Sequence, residues 1–120
     1  MSKRTDELGR RGERTAELFL NSRGLNTIDR NWRSGQTGEI DLVASDGDVI
    51  VFVEVKTRSG NLEAVQEVVS RQKLARLRRL AAAWLREKEG YSGYRIDLVG
   101  VAANQETQEA NISWWRGIDR

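Results

Sequence analysis

The stretch Gly38-Glu39-Ile40-Asp41-Leu42-Val43-Ala44-Ser45-Asp46-Gly47-Asp48-Val49-Ile50-Val51-Phe52-Val53-Glu54-Val55-Lys56-Thr57-Arg58 decides how this chain folds. Two apolar runs flank Asp46-Gly47, a dipeptide that favours a two-residue hairpin turn. A turn there pairs Ser45 with Asp48, sets Asp41 opposite Phe52 and Glu39 opposite Glu54. Side chains alternate between faces along a strand, and directly opposed residues share a face. The reading therefore places Glu39, Asp41, Glu54 and Lys56 on one face, with Asp41 a diagonal neighbour of Glu54 at roughly 7–8 Å. Carboxylates crowded on an apolar sheet repel, and acids are seldom buried without a partner. A divalent cation would remove the repulsion, and Lys56 adds a positive group beside it. A slip of one residue in register would carry Asp41 to the opposite face.

Outward from the hairpin, the pattern reads as helix, three strands, helix, two strands. Residues 6–22 place Leu8, Gly12, Thr15, Ala16 and Phe19 on one helical face, with Glu13 at its edge. Gly24 is the expected stop. A first strand covers 25–32 and a polar loop 33–37. The hairpin, 38–57, is apolar on both sides. Ile40, Leu42, Val49, Val51, Val53 and Val55 take one side; Val43, Ile50 and Phe52 take the other. Strands apolar on both sides lie between two layers, so helices should cover this sheet. Residues 59–69 fit either a loop or an early helical turn. Ser70 caps a helix running to about 88, with Leu74, Leu77, Ala81, Trp84 and Leu85 as its apolar stripe. A strand at 94–101, a polar loop at 103–110 and a short strand at 111–115 complete the chain. The class is α/β: one domain over residues 1–120, a mixed sheet flanked by helices, in the order α-β-β-β-α-β-β.

Composition narrows the chemistry. A chain of 120 residues can build one core. It has no Cys and no His, which excludes disulfides, thiolate nucleophiles, cysteine-rich zinc sites and histidine bases. A bound metal would be held by oxygen, favouring magnesium, with manganese as the alternative. The formal charge is only +2, so attraction to nucleic acid must come from local distribution. No apolar run approaches the roughly 18 residues of a membrane span, and the N-terminus has no signal-peptide core. The chain reads as cytoplasmic.

Two groups of residues carry candidate chemistry. Asp41, Glu54 and Lys56, with Glu13 as a fourth member, could hold a cation and manage an attacking water; the plain alternative is a charged hairpin end in solvent. Glu39 shares the face, as a further ligand or as a strand-entry charge. Arg71, Lys73, Arg76, Arg78 and Arg79 on the second helix could contact phosphates, against the default of a solvated helix face. Trp114 and Trp115 could stack on bases; more commonly such a pair supplies one core residue and one covering residue. Asp97 could support the site, partner Arg95 or accept from backbone.

The string Gly38-Glu39-Ile40-Asp41, the short hairpin, and Phe52-Val53-Glu54-Val55-Lys56-Thr57-Arg58 resemble the PD-(D/E)XK nuclease superfamily. Within it the chain resembles the bacterial YraN-like family. The likeness takes in Gly9, Gly12, Glu13, Ala16, Gly24, Asn31-Trp32-Arg33, Lys73, Leu74, Leu77 and Arg95-Ile96-Asp97. Ile40 stands where the superfamily usually has Pro. The resemblance implies a restriction endonuclease-like core. It is also similar to archaeal Holliday-junction resolvases, which place an acid on the first helix. By that likeness Asp41 and Glu54 are metal ligands with the carbonyl of Val55, Lys56 is the catalytic lysine, Glu13 is an accessory metal-site acid, and a homodimer is the assembly.

The resulting expectation is a magnesium-dependent endonuclease-like protein that hydrolyses phosphodiester bonds in DNA, with selectivity for structure over sequence. The rivals are a nucleic-acid-binding module that keeps the fold without cutting, and a protein adaptor whose basic helix meets an acidic partner.

Overall fold

The computed structural model describes residues 3–59, 69–104, 106–107 and 109–119, with residues 3–6 described by backbone alone. Seven elements follow in order: α1 (Lys3–Ser22), β1 (Asn26–Ser34), β2 (Gly38–Asp46), β3 (Val49–Ser59), α2 (Arg71–Arg86), β4 (Gly93–Ala103) and β5 (Ala110–Trp115). The expected order holds. Most of 59–69, which fitted either a loop or a helical turn, lies outside the described residues.

Local sequence fixes the helix ends. Gly24, at φ +93°, ends α1. Its N–H bonds the Asn21 carbonyl and the Leu25 N–H bonds that of Leu20, a pairing that satisfies the orphan carbonyls of the last turn. The Ser70 hydroxyl accepts from the Lys73 N–H at the start of α2, as its N-cap position dictates.

The five strands form one sheet in the order β1-β2-β3-β4-β5, antiparallel except for the β3–β4 pair that α2 connects. One helix covers each side. On the α1 side Ala16 and Leu20 pack with Leu42, Ala44, Val51, Val53, Val55 and Val99. On the α2 side Leu77, Leu80, Ala81 and Trp84 pack with Ile40, Val43, Ile50, Phe52 and Ile96. The two-sided apolar pattern of β3 thus has its cause in two helical layers. Among the described residues no helix is long and apolar enough to cross a membrane.

Two details differ from the sequence reading. Asp46 pairs with Val49, so the turn residues are Gly47-Asp48, not Asp46-Gly47. Gly47 has φ +61° and Asp48 no positive φ, the type II′ arrangement that puts Gly at the first central position. The register moves by two residues, which by itself leaves every side chain on the face that the turn implied; carried one step past Leu42–Val53, it sets Asp41 level with Glu54 instead of diagonal to it.

The second difference matters more. Ile40 belongs to the α2-side core, whereas Leu42 belongs to the α1 side, so alternation breaks at Asp41. The break is matched on β1. Arg30 pairs with Leu42 and Trp32 with Ile40, and Trp32 packs with the α2-side core. Between them Asn31 has φ +49°, the one positive value at a non-glycine among the described residues. Asn is among the residues that tolerate this conformation. Both strands turn over at the same level, and their mutual register survives.

Candidate functional site

The turnover separates the acids that strict alternation would have stacked. Glu54 and Lys56 follow Ile50 and Phe52 on the α2 side of β3. Glu39 turns to the α1 side, where Glu13 stands. The expectation that Glu39, Asp41, Glu54 and Lys56 share one face is therefore corrected. Asp41 sits where the two groups meet.

On the α1 side, carboxylate oxygens of Glu13, Glu39 and Asp41 lie within 4.8 Å of one another. Glu13 reaches this point because Gly12 lets α1 lie close on β3; a Cβ at Gly12 would overlap the Thr57 hydroxyl. The Asn31 amide bridges two of the acids. It donates to Glu13 Oε1 at 3.0 Å and to Glu39 Oε1 at 2.7 Å. Arg33 holds the other Glu39 oxygen at 3.1 Å.

Asp41 Oδ2 accepts a hydrogen bond from the Val55 N–H at 2.8 Å. The β2–β3 pairing ends at Leu42–Val53, so the carboxylate takes the place of the next ladder acceptor. Burial, then the negative charge of Glu54, then Glu13 and Glu39 push the Asp41 pKa up to about 7, against the lowering effect of the Val55 N–H. Three neighbouring carboxylates thus add to the cost of ionising Asp41.

On the α2 side Glu54 is buried, with its side chain 8% exposed, and two lysines reach the same oxygen. Lys73 Nζ lies 2.9 Å from Oε1 and Lys56 Nζ 3.2 Å. Burial, reinforced by Lys73, lowers the Lys56 pKa against the pull of Glu54. Burial also opposes the charge on Lys73, but its bonds to Lys56 and Glu54 raise its pKa overall. Two ammonium groups on one carboxylate oxygen titrate as a unit.

The basic residues of α2 divide by partner. Lys73 is tied to Glu54 at 2.9 Å. Arg78 donates to the Asp119 carbonyl at 2.9 Å. Arg71, Arg76 and Arg79 are exposed. Asp97, wholly buried, accepts from Arg95 Nε at 3.1 Å, Trp114 Nε1 at 2.9 Å and the Gly117 N–H at 2.9 Å. It partners both Arg95 and the backbone, and it fixes Trp114 against Phe19. Asn31 and the Lys73–Glu54 pair are not legible as site features from spacing. A residue tolerant of positive φ opposite the key acid is the signal that could have found Asn31.

The donor chemistry fits a hard cation: oxygen ligands only, of high charge, from two separate elements, α1 and β2. Glu13, Glu39 and Asp41 are the residues that could hold it, with Glu54 on the far side of Asp41.

The sequence profile of the "Uncharacterised protein family UPF0102" matches residues 12–101. A UPF0102 protein of Beutenbergia cavernae is 47% identical over 115 residues, spanning 94% of this chain and 96% of its own length. Others from Streptomyces coelicolor (50% over 101 residues, 82% of this chain and 78% of theirs) and Streptomyces griseus (52% over 97 residues, 78% and 81%) are similar over most of both chains. The matched segment runs from the glycine that seats α1 into β4 and includes every acid of the cluster; on this ground the chain belongs to the UPF0102 family.

Proposed function

We propose that this protein is a metal-dependent endonuclease-like hydrolase of the PD-(D/E)XK type, acting on phosphodiester bonds in DNA. The observation that supports it is the convergence of Glu13, Glu39 and Asp41 within 4.8 Å beside buried Glu54 and its half-buried partner Lys56. Magnesium or manganese, when bound, would supply Lewis acidity toward the phosphoryl oxygens and a more acidic water. Glu13, Glu39 and Asp41 would hold the ion from the α1 side, with Glu54 and the Val55 carbonyl completing the set that the nuclease resemblance implies. Asn31 keeps Glu13 and Glu39 aimed at one point. Lys56 Nζ, 3.2 Å from Glu54 Oε1, would orient the attacking water and stabilise the charge that develops on the phosphate. Lys73 holds Glu54 in place from the helix. Arg76 and Arg79 would grip the DNA backbone without reading sequence. A cytoplasmic location and the homodimer of the resolvase likeness belong to the same reading.

One observation favours the non-cutting rival. Glu54 already has two lysines on one oxygen and needs no cation to be neutralised. A nuclease assay on duplex, single-stranded, flapped and branched DNA, with magnesium or manganese, decides between them. Cleavage by the wild type that is lost in Asp41→Asn supports the enzyme. Retained DNA binding with no cleavage of any substrate by the wild type leaves the binding module.

A further inference from the structure

A second site lies on the α2 side, at the β1–β2 turn. A cleft of about 280 Å³ is lined there by Ser34 and Thr37 from the turn and by Arg79, Leu80, Ala83 and Arg86 from α2. Its polar groups share one character. Among the described residues, neither Arg79 nor Arg86 has an acidic partner within ion-pair distance, although Arg30, Arg33 and Arg95 elsewhere are paired. The hydroxyls of Ser34 and Thr37 make no hydrogen bond among the described residues, and no Asp or Glu lines the cleft. Donors surround a space that offers an anion no competing negative charge.

The cleft exists because of side-chain size. Arg79 and Arg86 are seven residues apart, two turns and roughly 10 Å along one helix face. Ala83 lies between them on that face, and its methyl leaves the gap open above buried Leu80. The basic row continues toward the carboxylates. Arg76, one turn before Arg79, lies over Gly38, where a Cβ would touch its Cδ at 3.5 Å. Lys73, one turn earlier still, is tied to Glu54 on the same side of the sheet. One basic row thus runs along the α2 side of the sheet, from the Lys73–Glu54 pair past Arg76 to Arg79 and Arg86. A single small anion would need only one of these positions; a chain of phosphates uses them all.

We infer that this cleft is a binding site for phosphate groups of a nucleic-acid backbone, separate from the carboxylate cluster and seating the strand that leads away from it. The inference deepens the proposed function and rests on its choice of nucleic acid, but it does not require cleavage.

The test measures binding of a short labelled duplex against salt concentration, with manganese affinity followed separately. Arg79→Gln/Arg86→Gln should weaken duplex binding about tenfold at low salt and reduce the salt slope by roughly 0.9 for each phosphate no longer neutralised. Ala83→Leu fills the cleft with no change of charge, and it should weaken binding several-fold. Thr37→Val is the milder second variant should the leucine disturb folding. Manganese affinity should be unchanged in all of them. Wild-type affinity in both Ala83→Leu and Thr37→Val overturns the inference. So does an equal loss in the exposed control pair Arg10→Gln/Arg11→Gln, which would reduce the effect to general charge. Thermal stabilisation by inorganic phosphate through Arg79 and Arg86, with duplex binding indifferent to every variant, also overturns it in favour of a free oxyanion. Duplex binding that responds to the variants, without cleavage by the wild type, supports this site and sinks the enzyme reading alone.

Discussion

Asp41 concentrates the tension of the molecule in one carboxyl group. Its folded-state pKa, about 7, lies above the ordinary 3.8, so the native state binds its proton more tightly than the unfolded chain does. The stabilisation this brings is fully present below about pH 4 and is lost as pH rises through 7. Asp41→Asn keeps a carbonyl oxygen for the Val55 N–H and removes the charge. Without divalent metal, urea unfolding should give nearly equal stabilities for variant and wild type at pH 4, and an advantage to the variant of at least about 1–2 kcal/mol by pH 8. A constant difference across that range would mean that Asp41 ionises normally. Glu54 offers a second test. Either lysine alone can keep its buried charge paired, so Lys56→Gln and Lys73→Gln should each cost on the order of 1 kcal/mol. Removing both leaves an uncompensated buried carboxylate, a loss of about 3–5 kcal/mol. The double-mutant cycle should therefore be strongly non-additive; simple additivity would show that Glu54 has another source of compensation.

Each helix meets the sheet through one small sequence feature. Gly12 seats α1. Because an added Cβ would overlap the Thr57 side chain, Gly12→Ala should cost about 1–3 kcal/mol by forcing the helix outward, and Thr57→Ala should recover part of that loss. Displacing α1 also withdraws Glu13, so divalent affinity should fall along with stability; a drop in stability alone would separate the helix from the acid cluster. At α2, Ser70→Ala removes the cap on the Lys73 N–H and should lower stability by about 1 kcal/mol. The effect on metal or DNA should be small, since the Lys73–Glu54 ion pair anchors the same turn. The far part of α2 is pinned by Trp84, fully buried, whose Nε1 donates to Asp29 Oδ2 at 2.7 Å.

At the scale of the whole molecule, the acids of the cluster come from two elements, α1 and β2. A cation bound there would cross-link elements far apart in sequence and would bind the native state alone. At a hundredfold excess over Kd such a ligand adds about 2.7 kcal/mol, a rise of several degrees in Tm. Manganese or magnesium should produce that rise in the wild type and not in Asp41→Asn. Equal shifts in both would place the ion elsewhere. The Asp97 cluster should be indifferent to metal. It joins Arg95, Trp114 and Gly117 and closes the β4–β5 edge of the sheet rather than the acid site.

The order of elements, the two-sided burial of β3, the Gly24 stop and the Ser70 cap are legible in the sequence. Each follows from local rules: apolar period, the conformational freedom of Gly, and the capping hydroxyl of Ser. Asp41, Glu54 and Lys56 can be named as candidates because their residue types stand close together around the hairpin, and Glu13 because it edges the buried face of the first helix, as the resolvase likeness implies. What the sequence could not supply was the face. Period-two counting assumes an unbroken pleat, and one backbone turnover at Asn31 and Asp41 sends Glu39 to Glu13 and leaves Glu54 to the lysines. That turnover is not written in either strand alone. It requires β1 and β2 to invert together, so that Trp32 and Ile40 bury against α2 while Arg30 and Leu42 stay on the α1 side. Lys73 likewise looks like a surface cation in the sequence, because only the packing of α2 on the sheet brings it to a buried carboxylate. Local chemistry determined the parts; the cost of burying charge, settled between distant elements, decided how they meet.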